Sequence, residues 1–271
     1  MNKRIRRPIR STIARSTPES VTVLGNDLTH LLGTVNLGDF AYLELFRRLP
    51  DQNESVLFNA LLVTLVEHGI TPSAIAARLT YLGAPESLQG AVAAGLLGLG
   101  STFVGTTEGA ARLCQDNLPD GGRHGSGAAR LDDAAVEAIA TRIVADHAER
   151  GVPVPGFGHP VHKPVDPRAV RLFELGRELG FDDTTSRLVE SISAQASSSL
   201  GKVLPVNATG AIGALASTLG IPWAVTRGLG VMARAVGLVG HILEERSDPI
   251  AATIWHRAEY EAAGGEPDFR V

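Results

Sequence analysis

Apolar positions recur at helical spacing along most of the chain, and the alternation typical of strands is rare. Residues 21–25 (VTVLG) form the best strand candidate. Thr71-Pro72 has the pattern of a helix start, with Thr71 as N-cap. Apolar residues three and four positions apart predict further helices at 54–67, 86–97, 103–115, 132–149, 168–180, 184–200, 207–219 and 222–244. The pattern predicts a mostly α fold.

Breaks in this pattern mark the connections. Pro50 and Asp51 mark a turn, and glycine and polar residues dominate 117–130, which we interpret as a mobile loop. The segment 152–168 is rich in proline and glycine, which excludes both a helix and a central strand there. Polar loops of this kind are where binding and catalytic residues concentrate.

Composition narrows the class of protein. Apolar residues make up 44% of the 271 residues and charged residues 20%, which is typical of a globular protein and excludes a disordered chain. No apolar run reaches the roughly 18 residues of a membrane span. The net charge of −4 argues against nucleic-acid binding. Cys114 is the only cysteine, which excludes an intramolecular disulfide and a cysteine-based zinc site.

The N-terminus carries six basic residues before the first acid, Glu19. The stretch contains no apolar core, which excludes a secretory signal. We interpret residues 1–20 as a solvated basic tail, which in an oligomer would be able to lie on a partner subunit. We expect the protein to be cytoplasmic.

The loop 156–168 carries the densest set of reactive side chains: His159, His162, Lys163, Asp166 and Arg168. Prolines stiffen the loop, and a neutral imidazole exchanges protons near pH 7. The alternative is a rigid surface turn with no chemical role. No matching ligand cluster accompanies the two histidines, so we predict no metal.

Polar residues also interrupt the apolar helices. His68 ends the helix at 54–67, where we expect it to remain buried as a core histidine. Arg234 and His241 are seven residues apart on one face of the helix at 222–244. Arg234 requires a carboxylate from the protein or from a ligand. Arg246 follows two glutamates, and a surface ion pair is its alternative role.

Four segments in order resemble the citrate synthase superfamily. GFGHPVHKPVDPRA (156–169) resembles its active-site loop, and LLVTLVEHGIT (61–71) its histidine-ending helix. LPVNATGAIGALASTLGIP (204–222) resembles the segment with the catalytic aspartate, and RAVGLVGHILEE (234–245) the arginine-bearing helix. The short chain and the His-Gly after the first helix look more like the compact citryl-CoA lyase branch, including the C-terminal lyase module of ATP citrate lyase.

The resemblance implies an organisation for the chain. It implies a shortened citrate synthase-like helical fold at 21–250, between the basic tail and a C-terminal tail at 251–271. Within it, 117–130 would be the mobile loop and about 131–205 the small-domain part. It also implies a helical dimer interface, and therefore a homodimer or higher homo-oligomer, because subunits of the family complete each other's sites.

The resemblance also implies roles for individual residues. His68 would bind oxaloacetate and His159 would act as acid/base at its C2 oxygen. Arg168 and Arg234 would bind carboxylates through bidentate guanidinium groups, and Arg246 matches weakly an arginine that crosses the dimer interface. Coenzyme A would enter as part of the substrate, with no tightly bound cofactor. Its site would be lined by Pro155, Gly156, Phe157, Gly158 and Lys163.

Two departures from the family pattern affect the chemistry. Phe103 stands where synthases have the histidine that polarises the thioester carbonyl. The lyase module of ATP citrate lyase also lacks that histidine. In Asn207-Ala208-Thr209, Thr209 stands where the family has its catalytic aspartate. A threonine has no pKa suited to proton transfer near neutrality. His162, His241 or a water near Thr209 are the candidates to protonate the enolate.

The resemblance implies a lyase that cleaves citryl-CoA or a related 3-hydroxy-acyl-CoA to acetyl-CoA and oxaloacetate, or another 2-oxo acid. One alternative is a citrate synthase-like condensing enzyme. The other is an acyl-CoA- or dicarboxylate-binding homologue of low activity, which the two departures favour. The partners implied are small molecules, with no nucleic acid and no membrane.

Overall fold

A computed structural model describes residues 9–125, 127, 130–159 and 162–265. Parts of both predicted tails, of the predicted mobile loop and of the loop 156–168 lie outside these ranges. The described chain divides into two compact units at Asn59 and Ala60.

A small antiparallel sheet opens the first unit. Its strands, in spatial order, are β1 (Ala14–Ser16), β2 (Val21–Val23) and β3 (Asn26–Asp27). The predicted strand is confirmed over β2 and stops there, because Leu24 and Gly25 take positive φ angles and turn the chain. β1 lies within the segment that we interpreted as a tail.

Helices complete the first unit: α1 (Leu28–Leu31), α2 (Leu37–Phe46) and the start of α3 (Gln52–Val66), which runs into the second unit. The Asn36 side chain caps α2 by accepting from the Asp39 backbone N–H at 2.9 Å. Tyr42 packs between Phe46 and Phe58, with ring centroids 4.1 and 5.3 Å away. α2 was not predicted.

The second unit is helical wherever it is described with regular structure. Its further helices are α4 (Pro72–Gly83), α5 (Leu88–Leu97), α6 (Gly105–Asn117), α7 (Asp133–Glu149), α8 (Pro167–Glu178), α9 (Thr184–Leu200), α10 (Ala208–Thr218), α11 (Trp223–Ser247) and α12 (Ala251–Ala262). The predicted mostly α fold is confirmed. α12 lies within the segment that we interpreted as a C-terminal tail.

Side chains cap the helices that carry the site. Thr71 accepts from the Ala74 backbone N–H, which confirms the predicted start of α4. Asp166 caps α8 and Asn207 caps α10 in the same way. These caps fix where each helix begins.

α10 lies at the centre of the second unit, and nearly all of it is buried. It packs against α6, α8 and α9. A side chain at Gly213 would lie 2.7 Å from the Thr107 carbonyl oxygen, so α6 and α10 approach backbone to backbone. α11 packs across α4, α5 and α6. Because α6 packs against both helices, it fixes the position of α10 relative to α11.

The segment 117–130 begins with a short 3-10 turn, Pro119–Gly122. His124 follows, with its backbone N–H bonded to the Thr218 carbonyl at 2.9 Å and its Nδ1 accepting from the Asp182 N–H at 3.1 Å. Lid motion of this segment stays a prediction. Within the described residues, none of the helices has the length and apolar character needed to cross a bilayer.

Candidate active site

Hydrogen bonds join the histidine loop to the segment before α10. The Gly156 carbonyl accepts from the Asn207 N–H at 3.1 Å, and the Gly158 N–H donates to Pro205 at 2.8 Å. The Asn207 amide group donates to the Gly158 carbonyl at 2.9 Å. The loop 156–168 and the segment before α10, which the sequence indicated separately, are therefore held together by backbone and side-chain hydrogen bonds.

Gly156 and Gly210 show how closely these segments approach. Gly156 is buried with a φ of +93°, and a Cβ there would lie 2.8 Å from the Gly210 Cα. A Cβ at Gly210 would meet the Gly156 carbonyl oxygen. Both positions need glycine because backbone contacts backbone, and at Gly156 also because of the positive φ.

Asp166 ties the end of the loop to α10. It is fully buried and accepts from Arg168 Nε at 3.0 Å and Nη2 at 2.8 Å. It also accepts the backbone N–H groups of Arg168 and Ala208. Burial acts to raise the pKa of Asp166, but these bonds outweigh it and hold the pKa below its usual value.

His159 is half-buried beside Arg168. Its Nδ1 accepts from the His162 backbone N–H at 3.0 Å, and its Nε2 lies 3.4 Å from Arg168 Nη2. A backbone N–H only donates, so Nδ1 accepts, and a neutral His159 in this arrangement carries its proton on Nε2. Burial, with the nearby His162 and Arg168, lowers the pKa of His159. The ring is therefore neutral at pH 7.

His68 joins this cluster, with its ring centroid 5.9 Å from that of His159. The expectation that His68 is buried at a helix end is wrong. α3 ends at Val66, and His68 follows it in an exposed turn. Partial burial of the ring and the charges of Arg168 and Arg234 lower its pKa. His68 is thus a neutral imidazole that faces solvent and two cations.

Arg234 is buried on α11, with 9% of the residue exposed. Its Nε and Nη1 atoms have no hydrogen-bond partner among the described residues. Burial lowers the pKa of Arg234, and the charge of Glu67 partly opposes that effect. A buried guanidinium with N–H groups unpaired among the described residues has the donors that a carboxylate would accept from.

Thr209 is tied into the cap of α10. Its hydroxyl donates to Asn207 Oδ1 at 2.7 Å and accepts from the Thr106 hydroxyl at 2.9 Å. The Thr106 hydroxyl also reaches the carbonyl oxygen of Phe103, whose side chain is half-exposed. The Thr209 proton is therefore engaged by Asn207.

The remaining expected site residues are exposed or half-buried. Lys163 is exposed within the loop 156–168, and Pro155 lies against Gly109 of α6. Phe157 pairs with Val206 in an isolated bridge. Arg246 is exposed in the last turn of α11, and the structure gives it no hydrogen bond or ion pair to another described residue. Among the described residues, no group of three or more metal-binding side chains converges.

Sequence analysis missed a buried charged network next to the site. Arg78, on α4, is fully buried and donates to Glu245 at 2.8 Å, to His241 Nδ1 at 2.9 Å and to Glu244. His241 Nε2 in turn lies 3.1 Å from Glu67 Oε1. Both ring nitrogens of His241 are thus engaged, which removes it as a proton donor to substrate. An arginine within an alanine-rich helix was the available signal.

Comparisons with known proteins identify the family. Residues 25–256 match the family described as citrate synthase, C-terminal domain. The structure of citryl-CoA lyase from Hydrogenobacter thermophilus is 34% identical, with a TM-score of 0.75 over 88% of this chain and 87% of that one. Among curated proteins, none gives a significant match.

More distant structures share the fold. ATP citrate lyase from Methanothrix soehngenii, in complex with citrate and coenzyme A, is 22% identical with a TM-score of 0.70; the match covers 90% of this chain and 40% of that one. Citrate synthase from Thermotoga maritima is 16% identical with a TM-score of 0.54, over 90% and 91%. The family match over residues 25–256 and the 34% identical structure show that the chain belongs to the citrate synthase family.

Proposed function

We propose that the protein is a lyase that cleaves citryl-CoA, or a related 3-hydroxy-acyl-CoA, to acetyl-CoA and oxaloacetate or another 2-oxo acid. The observation that carries the proposal is the buried Arg234 guanidinium, whose Nε and Nη1 find no partner among the described residues and which lies beside His68. The activity of the 34% identical citryl-CoA lyase supports it.

Substrate carboxylates would bind first at Arg234. Arg168 offers less, because its Nε and Nη2 already form a fork with Asp166. We assign to Arg168 the stabilisation of charge on the substrate oxygen, since its Nη2 lies next to His159 Nε2. Lys163 and residues 155–158 would line the path of coenzyme A.

The reaction would begin with the tertiary hydroxyl of the substrate. For this step the neutral ring of His159 carries its proton on Nδ1, which requires release of the His162 N–H, and Nε2 takes the hydroxyl proton. The O–H electrons then form the new carbonyl, and the carbon–carbon bond breaks. The electron pair of that bond moves to the acetyl carbon and gives the enolate of acetyl-CoA. His68 hydrogen-bonds the carbonyl or carboxylate of the departing 2-oxo acid.

Protonation of the enolate needs a donor other than Thr209, whose proton is bonded to Asn207. His162 is the candidate that lies within the site, with its ring centroid 4.4 Å from that of His159. We therefore assign this step to His162 or to a water that it holds.

The engaged Thr209 hydroxyl also favours a second candidate function, a homologue that binds acyl-CoA or dicarboxylate with low turnover. The same site run in reverse would be a condensing enzyme. In all three, coenzyme A is part of a substrate or ligand.

We also propose that the protein is a homodimer through α11. This helix exposes five apolar side chains at intervals of three, four and seven residues: Val225, Met232, Val236, Val239 and Leu243. That is the spacing of a helix-packing face. Val236→Glu would place a charge in that face. Light scattering should show a dimer that this substitution converts to a monomer; a wild-type monomer contradicts the proposal.

A coupled assay tests the lyase. Purified protein is given citryl-CoA, and added malate dehydrogenase reports oxaloacetate. We expect turnover that His159→Ala lowers by about 10²–10⁴-fold, because the proton acceptor is lost. His256→Ala, at an exposed histidine of α12, is the matched control and should leave turnover unchanged.

The outcomes separate the candidates. Undiminished turnover in His159→Ala contradicts the mechanism. A wild type that binds coenzyme A in calorimetry but releases no 2-oxo acid favours the binding homologue and excludes citryl-CoA as substrate.

A further inference from the structure

Glu67 holds the turn that carries His68. The residue follows α3, and its Oε1 accepts from the His68 backbone N–H at 2.8 Å and from the Gly69 N–H at 2.7 Å. These bonds outweigh the effect of burial and keep the pKa of Glu67 below its usual value. One carboxylate oxygen thus fixes the backbone of the His68 turn.

His241 fixes that same oxygen from inside the protein. Its Nδ1 faces Arg78, and an arginine only donates, so Nδ1 accepts. Neutral His241 therefore carries its proton on Nε2, which lies 3.1 Å from Glu67 Oε1 and donates to it. The direction of every bond from Arg78 to the His68 turn is determined by donor chemistry.

Arg78 anchors this chain of bonds on two helices. It comes from α4 and pairs with Glu245 of α11, itself nearly fully buried. Glu245 in turn accepts the Ala251 N–H at the start of α12. Each member is held by a neighbour, so little movement is left for Glu67.

Gly237 adds a steric stop. A Cβ there would lie 3.0 Å from Glu67 Oε2 and would clash with the Val66 carbonyl oxygen. α11 therefore contacts the end of α3 directly, only one turn from Arg234. The distance between the His68 turn and the Arg234 carboxylate site is set by this contact.

We propose that Glu67 is a positioning residue, which His241 and Arg78 hold in place so that His68 meets the same substrate that Arg234 binds. The inference rests on the proposed function, because it assigns substrate contact to His68. It adds three residues that touch no substrate and act through the placement of His68.

The comparison of Glu67→Ala with Glu67→Gln tests position against charge. Alanine removes the acceptor, and a displaced His68 should lower kcat/KM for citryl-CoA by about 10²-fold, mainly through KM. Glutamine keeps an acceptor oxygen for the same N–H groups, so Glu67→Gln should lower kcat/KM by about tenfold at most. Equal losses in both variants would show that the charge matters instead, and would overturn the proposal.

A second measurement does not depend on the substrate. Histidine-labelled protein gives an NMR titration for His68, assigned with His68→Gln. In Glu67→Ala the ring moves from Arg168 and Arg234 and its pKa should rise, whereas Glu67→Gln should leave it unchanged. An unmoved His68 pKa in Glu67→Ala would contradict the positioning role, even if the wild type cleaves no citryl-CoA.

Two further variants control the test. Glu54→Ala removes a carboxylate from the other end of α3, where it accepts the Asp51 N–H; stability should fall while KM and the His68 titration stay the same. Gly237→Ala leaves Glu67 intact but pushes on the turn, so it should raise KM as Glu67→Ala does. A Gly237→Ala protein with wild-type KM and His68 pKa would count against the proposal.

Discussion

Arg78 and Arg234 are both buried beside the proposed site, and they differ in what surrounds their guanidinium groups. Arg78 is bonded to Glu244, Glu245 and His241. Arg234 has Nε and Nη1 atoms without a partner in the described part of the chain. The described residues satisfy the guanidinium donors of Arg78 but leave two donor atoms of Arg234 without a partner.

The difference shows that the partners of a buried cation indicate whether its role is structural or functional. Removing a guanidinium from water costs several kcal/mol unless good partners replace the water. The protein supplies those partners for Arg78, which makes it a structural residue. At Arg234 the residues that the structure describes leave two donor atoms without a partner, and a ligand with a carboxylate would satisfy them. Burial alone therefore does not separate structure from function; the hydrogen-bond partners do.

The same substitution at both arginines should give opposite results, and the largest effect is expected at Arg78. Arg78→Leu leaves Glu245 buried without its partner, so the free energy of unfolding should fall by about 3–5 kcal/mol. Urea denaturation followed by circular dichroism measures it. Arg171→Ala, at an exposed ion pair on α8, is the control and should give no detectable change. A stable Arg78→Leu protein would remove the distinction between the arginines.

Arg234→Leu should change binding more than stability. It removes a buried, incompletely paired charge, so the free energy of unfolding should stay the same or rise. Loss of the charged hydrogen bonds to substrate should weaken binding by about 1.5–3 kcal/mol, or roughly 10–100-fold. Calorimetry with oxaloacetate and the KM for citryl-CoA measure it. Unchanged affinity would show that the free donors serve no ligand.

The smallest expected effect concerns pH. Partial burial and the Arg168 and Arg234 charges lower the folded-state pKa of His68 below its reference value of 6.5. As pH falls below 6.5 the unfolded chain takes up protons first, so stability is present above that pH and declines beneath it. Arg234→Leu removes one cation, raises the pKa of His68 and makes the decline shallower. Unfolding curves between pH 5 and 7 test the change in slope; an unchanged slope would contradict it.

The sequence predicted the helices with clear apolar spacing, and it indicated the loop 156–168 as a candidate site because reactive side chains are concentrated there. It could not predict α2, because Leu37–Phe46 is apolar nearly all round and Asn36 alone marks its start. His68 was misplaced because the end of α3 depends on Glu67, whose side chain bonds the next two N–H groups. Arg78 was missed since its partners lie more than 160 residues away. Periodicity reports which face is buried; it does not report which distant groups meet there.

The bonds from Asn207 to the histidine loop carry a consequence for how the protein is made. The side-chain bond to Gly158 spans 49 residues, a stretch that contains α8 and α9. Closing so long a loop has an entropic cost that only later contacts offset. A nascent chain that has not yet passed Asn207 lacks the partner of the loop. The histidine loop therefore reaches its working shape only after synthesis has moved beyond α9, together with the first turn of α10.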